Sequence, residues 1–190
     1  IAALNLIAAE TTGVVTATLA ADSLANLGAL TTAGTDAITI TVNDANAAAL
    51  TAANLSALGG KTAGTVTVTN AVAITGDHDQ VTAALVTAGT KVEVDDATVI
   101  VNDANTTAIT AAELSAIGGA TLGTVTVTNA VAIEGTAAEV TAALVTGGTK
   151  VEVDDAAVTL TTTPSIAALN LIAAETTGVV TATLAADSLA

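Results

Sequence analysis

The chain has 190 residues, a net charge of −15 and only three Lys with no Arg, which argues against nucleic acid as a partner, since phosphate neutralisation needs basic residues, and against docking on anionic lipid. Aromatic residues, Cys and Met are absent, so the 52% apolar content is Ala, Val, Leu and Ile. That excludes disulfides and thiolate metal sites and leaves only a thin core of small side chains. Mean hydropathy is high at +0.74, yet Thr, Asp, Asn or Gly interrupts every apolar run before the ~18 residues of a membrane helix, and membrane insertion is not expected.

In chain order, 1–13 (IAALNLIAAETTG) reads as a helix with a glycine stop and 14–19 (VVTATL) as a strand. A second helix is predicted over 24–34 (LANLGALTTAG), followed by a strand in AITITVND. Next, 50–60 (LTAANLSALGG) reads as a helix, with Leu55 and Leu58 on one face at i, i+3 spacing. In Thr65-Val66-Thr67-Val68-Thr69, alternation sends Val to one face and Thr to the other, and a second short strand follows in NAVAITG. Asp77 and Gln80 have the spacing of a helix start before VTAALV. In Lys91-Val92-Glu93-Val94-Asp95, Val points in while Lys and carboxylates point out. The pattern then repeats: Thr110 with Glu113 and Thr136 with Glu139 are capping-box pairs, and Leu114 and Ile117 share a face. Gly59–Gly60, Gly118–Gly119 and Gly147–Gly148 are expected to stop helices in the left-handed conformation that glycine tolerates.

Two repeats organise these elements. Residues 1–25 recur unchanged at 166–190, as expected of a window cut from a tandem array in which one full period spans 1–165. Within that period, TVTVTNAVAI at 65–74 returns at 124–133, VNDAN at 42–46 returns at 101–105, and KVEVDDA at 91–97 returns at 150–156, all three at one common offset. The divisions are therefore a diverged pair of helix–strand coils at 1–37, repeat units at 38–96 and 97–155, and the start of the next period at 156–190. Fixed periods of this kind signal repeat architectures. The expected fold is an α/β repeat solenoid, a right-handed β-solenoid-like stack of short helices and short parallel strands, with about six coils per period. Thr, at 38 of 190 residues, supports the strands through its β-branched side chain.

Candidate sites are few. His78 lies in Gly76-Asp77-His78-Asp79, which has the look of a metal cluster, but the equivalents of the last three one unit later are Thr136, Ala137 and Ala138. The segment therefore reads as a solvated helix start, with Asp77 capping and Asp79 favouring the helix dipole. The recurrent carboxylates are better candidates. Glu93, Asp95 and Asp96 recur as Glu152, Asp154 and Asp155, and Asp44 recurs as Asp103. Oxygen ligands at repeated strand ends suit Ca²⁺, so Asp44, Asp95, Asp96, Asp103, Asp154 and Asp155 are calcium candidates; the alternative is that they are turn residues and charged outer faces. No Cys nucleophile, Gly-x-Ser-x-Gly elbow or phosphate loop is present, and no catalytic residue or required cofactor is expected.

The segments SALGGKTAGTVTVTNAVAITG and AEVTAALVTGGTKVEVDDA resemble repeats in giant Ala/Thr/Val/Asp-rich surface proteins of bacteria, cyanobacterial adhesin-like or sheath-like chains among them. The resemblance implies an extracellular, non-enzymatic, fibrous or adhesive role with bound calcium as an option. The repeats lead independently to a structural segment of a cell-surface filament whose partner is itself, by end-to-end stacking and lateral bundling. A chain free of Cys and Met, and so resistant to oxidation, suits that location. The alternatives are a calcium-dependent adhesin stalk and an ice- or surface-binding solenoid. The Thr-x-Thr-x-Thr strands at 65–69 and 124–128 resemble the Thr ladders of ice-binding proteins, although Lys91, Glu93 and Asp95 are expected to interrupt the Thr plane.

Overall fold

A computed structural model describes residues 1–186, in two compact units, Ile1–Thr98 and Val99–Ala190. The first unit runs α1 (Ala2–Glu10), β1 (Thr16–Thr18), α2 (Leu24–Leu27), β2 (Ala37–Val42), β3 (Ala49–Thr51), α3 (Ala52–Gly59), β4 (Val66–Val68), β5 (Ala73–Gly76), α4 (His78–Leu85) and β6 (Glu93–Val94). From the boundary onward come β7 (Thr98–Val101), β8 (Ala108–Thr110), α5 (Ala111–Gly118), β9 (Val125–Val127), β10 (Ala132–Gly135), α6 (Ala137–Leu144), β11 (Val151–Val153), β12 (Ala157–Leu160), α7 (Ile166–Ala173) and β13 (Val180–Thr181). The fold is α/β, with helices alternating with strands, and the strand pairs described below all run parallel. Among the described residues no helix is long and apolar enough to cross a membrane.

Parallel pairing follows from the repeat. In the first unit the order β1-β2-β4-β6 sets Ile40 opposite Val66 and Thr67 opposite Glu93, the same step along the chain in each case. A separate pairing of β3 with β5 sets Leu50 opposite Ile74, at a slightly shorter step. The second unit repeats both patterns: Val99 faces Val125, Val125 faces Val151, and Ile109 faces Ile133. Because the pleat has a period of two, this register stacks Val and Ile on one face and Thr or Glu on the other. Ile40, Val66, Val68, Val99, Val125, Val127 and Val151 are all buried. Each such side chain contributes about 1.5–3 kcal/mol relative to exposure, so many small contacts replace the few large ones that aromatic rings supply elsewhere.

The helices complete the core. Leu55 and Leu58 of α3, and Leu114 and Ile117 of α5, are buried on the predicted faces. Helices of eight residues are marginal in water; here α3 packs on α4 and α5 on α6. The approach is close because the residues are small: a Cβ on Gly76 would lie 2.9 Å from Ala52 Cβ, and one on Gly135 would lie 2.9 Å from Ala111 Cβ. Both capping boxes form, with the hydroxyls of Thr110 and Thr136 accepting the N3 amides while Glu113 and Glu139 accept the Thr amides.

Four expectations are corrected. The helix predicted over 24–34 is four residues long; it gives way to tight turns at Ala29 and Leu30, and Thr31 N is taken by Asn5 Oδ1. The short strands β3 and β8 have no counterpart among the predicted elements. No glycine among the described residues has positive φ; Gly60 and Gly119, at −68° and −77°, are ordinary right-handed caps, and the need for glycine lies in close packing instead. Gly147 and Gly148 do not end a helix, since α6 stops at Leu144, and they border open space. The left-handed positions are non-glycine: Ala47 at φ 60° and Thr106 at φ 66°, equivalent positions of the two repeat units.

Candidate functional site

The recurrent polar residues lie just beyond the ends of strands, and several are engaged with backbone. Asn70, just after β4, donates its Nδ2 to the backbone oxygen of Asp44 at 2.6 Å, and Asn129 does the same to Asp103 at 2.5 Å. The side chain of Asp44 accepts Leu24 N at 2.7 Å, satisfying an amide at the start of α2. Asp103 is buried, whereas Asp95, Asp96, Asp154 and Asp155 are exposed. The backbone oxygen of Asp154 accepts Thr177 N at 2.7 Å and the Thr177 hydroxyl at 2.9 Å. Among the described residues, no three His, Cys, Asp or Glu side chains converge as a metal-holding group, so the six calcium candidates are not brought together.

The buried polar centre is one that the charge pattern does not single out. Thr62 is 5% exposed. Its hydroxyl oxygen accepts Ile38 N and Gly64 N, each at 2.8 Å, and lies 2.7 Å from Ile38 O and 2.9 Å from Asp36 O. Asp36 is also buried, with Oδ1 accepting Val15 N at 2.9 Å and Oδ2 accepting Ala33 N at 3.0 Å. One hydroxyl thus ties a corner to the segment before it. The same part is played at Thr176, which donates to Ala156 O at 2.6 Å and accepts Gly178 N at 3.0 Å, while Thr121 accepts Gly123 N at 3.0 Å. The three share Thr-x-Gly at 62–64, 121–123 and 176–178, but the same pattern stands at 11–13, 32–34, 87–89 and 146–148, so the motif by itself does not single them out. The glycine is required by the approach of backbones: a Cβ on Gly64 would sit 2.3 Å from Ile38 O, and one on Gly178 would sit 2.2 Å from Ala156 O.

His78 opens α4, and Asp77 caps that helix as expected, accepting Gln80 N at 2.8 Å. The imidazole is not solvated: its side chain is 13% exposed, with Nε2 3.5 Å from the open carboxylate of Asp79. The expected solvated helix start is corrected in that respect, since the ring is packed rather than free in water. On the outer strand face, Thr41, Thr67 and Glu93 stand in register, as do Ile100, Thr126 and Glu152, so Glu93 ends a row of two Thr and Thr126 is flanked by Ile and Glu. Two carboxylates are held below their ordinary range. Asp22 is lowered by the amide of Asn26 and then by Ser23 N, and Glu139 by Thr136 N and then by the Thr136 hydroxyl. Both are helix-start groups that accept hydrogen bonds in their charged form.

The hydroxyls and carboxylates whose partners are described here are engaged mainly with backbone, an arrangement suited to holding segments together. No family model, curated protein or solved structure matches the chain.

Proposed function

We propose that this chain is a structural repeat segment of a long extracellular filament or cell-surface fibre, non-enzymatic, and folded as an α/β solenoid. The observation that carries the reading is the coincidence of two periodicities. Parallel pairing advances by a near-constant step, Ile40 to Val66 and Leu50 to Ile74, inside a sequence whose 65–74 segment returns at 124–133 and whose 1–25 segment returns at 166–190. A coil of that length cannot bury its apolar face alone, so a neighbour completes it, and the pattern extends without a natural stop. About six such coils make one full period, and parallel crossovers of this kind are right-handed in nearly every case. The corner hydroxyls of Thr62 and Thr176 support the same reading, because each bonds to backbone of the preceding segment and recurs with the repeat. A net charge of −15 with three Lys keeps an Ala/Thr-rich surface soluble.

Electron cryo-microscopy of the native material tests this. The expected power spectrum has a spacing near ~4.8 Å and a longer period of about 29 Å, shortened by any superhelical path. Discrete beads without the ~4.8 Å spacing would overturn it. The reading requires no bound cation, so the fibre is expected to keep its form in EDTA; a calcium-dependent stalk would soften there.

A further inference from the structure

Two triplets of the chain, Asn54-Leu55-Ser56 and Asn105-Thr106-Thr107, have the Asn-x-Ser/Thr pattern that asparagine glycosylation requires of its acceptor. The pattern treats them as equals; their surroundings separate them. Asn54 and Ser56 lie inside α3, Leu55 between them is fully buried, and the Ser56 hydroxyl donates to Ala53 O at 3.1 Å. An enzyme that grips three consecutive residues reaches this triplet only by unwinding the helix and drawing Leu55 out of the core. Asn105 instead lies on a tight turn. Thr107 N donates to Ala104 O at 3.1 Å, and Thr106, at φ 66°, holds the second central position, as in a type II turn. The turn is anchored from behind by Thr106 N, which donates to Ala130 O at 2.7 Å. Asn105 and Thr106 are exposed and Thr107 is half-buried. Among the described residues, neither the Asn105 amide nor the Thr107 hydroxyl takes part in a hydrogen bond, so both are available to a visitor. The sister turn of the other repeat unit has the same backbone, with Ala48 N on Ala45 O at 3.0 Å and Ala47 at φ 60°, but Ala48 stands where Thr107 does. The turn therefore forms without that hydroxyl, and folding does not account for it.

We propose that Asn105 is a glycosylation site, the acceptor of an oligosaccharide carried on a lipid diphosphate, and that Asn54 is not one. This rests on the extracellular reading above, since the pattern marks a surface loop of a secreted chain. In the transfer, Asn105 Nδ2 forms a bond to the anomeric carbon of the first sugar. The bond from that carbon to the diphosphate oxygen breaks, the lipid diphosphate leaves with the electron pair, and one amide proton is lost to base. An amide nitrogen is a weak nucleophile, because its lone pair is shared with the carbonyl. The transferase must therefore surround it closely, which an exposed turn permits and a packed helix does not. Thr107 supplies the hydroxyl by which the triplet is recognised. The site falls once within residues 1–165, so an array of that period carries one such sugar per period, a neutral hydrated group on an otherwise acidic surface.

Mass spectrometry of peptides from the native material tests the assignment, with a protease that cuts after small residues to free the turn and electron-transfer fragmentation to place the sugar. The expected result is a sugar on Asn105, with Asn54 and Asn46 unmodified. In the producing cells, Thr107→Ala is expected to abolish the modification and Thr107→Ser to retain it. Circular dichroism checks that Thr107→Ala keeps the fold, as Ala48 in the sister turn leads us to expect. Thr106→Gly leaves the triplet intact and is expected to keep the sugar. An unmodified Asn105 in the native material, a sugar on Asn54 to the same extent, or a sugar that survives Thr107→Ala would overturn the proposal. The axial spacing of the same material is read separately, so the filament reading and the sugar can each fail without the other.

Discussion

Replacing Gly59 by Ala sets two effects against each other. In a helix, Ala is favoured over Gly by about 1 kcal/mol, and the backbone here is right-handed, so propensity alone predicts stabilisation. The new methyl would lie 2.1 Å from Thr90 O, 2.7 Å from Thr90 C and 3.1 Å from Thr90 Cα. These are backbone atoms, so the turn before β6 must move by about 1 Å, and overpacking of that kind costs typically about 1–3 kcal/mol or more. With the obstacle a carbonyl, the upper end applies, and the net loss is about 2 kcal/mol after the propensity gain. For a unit of this size that lowers the thermal midpoint by roughly 10 °C. Gly60 is the internal control: a methyl there meets Ser56 O at 3.5 Å and Thr90 Cγ2 at 3.7 Å, both ordinary contacts. Gly60→Ala is therefore expected to be neutral or stabilising by up to ~1 kcal/mol. Gly118 and Gly119 repeat the contrast, at 2.2 Å from Thr149 O and 3.4 Å from Ser115 O. Thermal melts followed by circular dichroism read all four variants. If Gly59→Ala proves as stable as Gly60→Ala, close approach is not the reason for the first glycine of each pair.

Thr62→Val leaves Ile38 N and Gly64 N without their acceptor and is expected to cost about 3 kcal/mol, while Thr62→Ser keeps most of the stability; urea melts of the two variants check it. Thr106→Gly relieves a β-branched residue at φ 66° and is expected to stabilise by about 1 kcal/mol after the entropy cost of glycine; a lower thermal midpoint would show that this turn is not strained. Glu139, held below its ordinary value of 4.5, stabilises α6 above that pH, and the contribution is lost as pH falls through the lower folded value. The difference in midpoint between the native chain and Glu139→Gln is thus expected to be constant from neutral pH down to about 5 and to shrink below the carboxylate range, which melts across about pH 3–7 measure.

How much the sequence reveals depends on how local each cause is. The caps at Thr110 and Thr136 are legible because donor and acceptor are close neighbours in the chain. Val66 and Val68 are legible because alternation is a property of neighbours. β3 and β8 are not, since strands so short carry almost no period and the last residue of each, Thr51 and Thr110, doubles as a helix cap. The shortness of α2 depends on Asn5, 26 residues away from the amide it takes. Among the candidate sites, Asp44 is legible as a strand-end oxygen, but its partner, Leu24 N, lies 20 residues earlier and no motif announces it. Asp36 and Thr62 escape notice because their importance comes from burial and from a bond spanning 26 residues, which composition does not register. The glycines stand out in the sequence as helix stops, yet their neighbours in space, Thr90 and Ile38, decide their role rather than their own torsion angles.

The three lysines have a further consequence. Lys61 donates its Nζ to Gly28 O at 2.6 Å, and Lys150 is held by Glu175, while Lys91 is exposed. Proteases that cut after basic side chains therefore find three sites in the chain, two with their amines engaged, and those that cut after aromatic side chains find none. Composition therefore limits enzymes of these two specificities alone; proteases that cut after Ala, Val or Leu meet such residues throughout the chain, and only folding keeps those bonds from them.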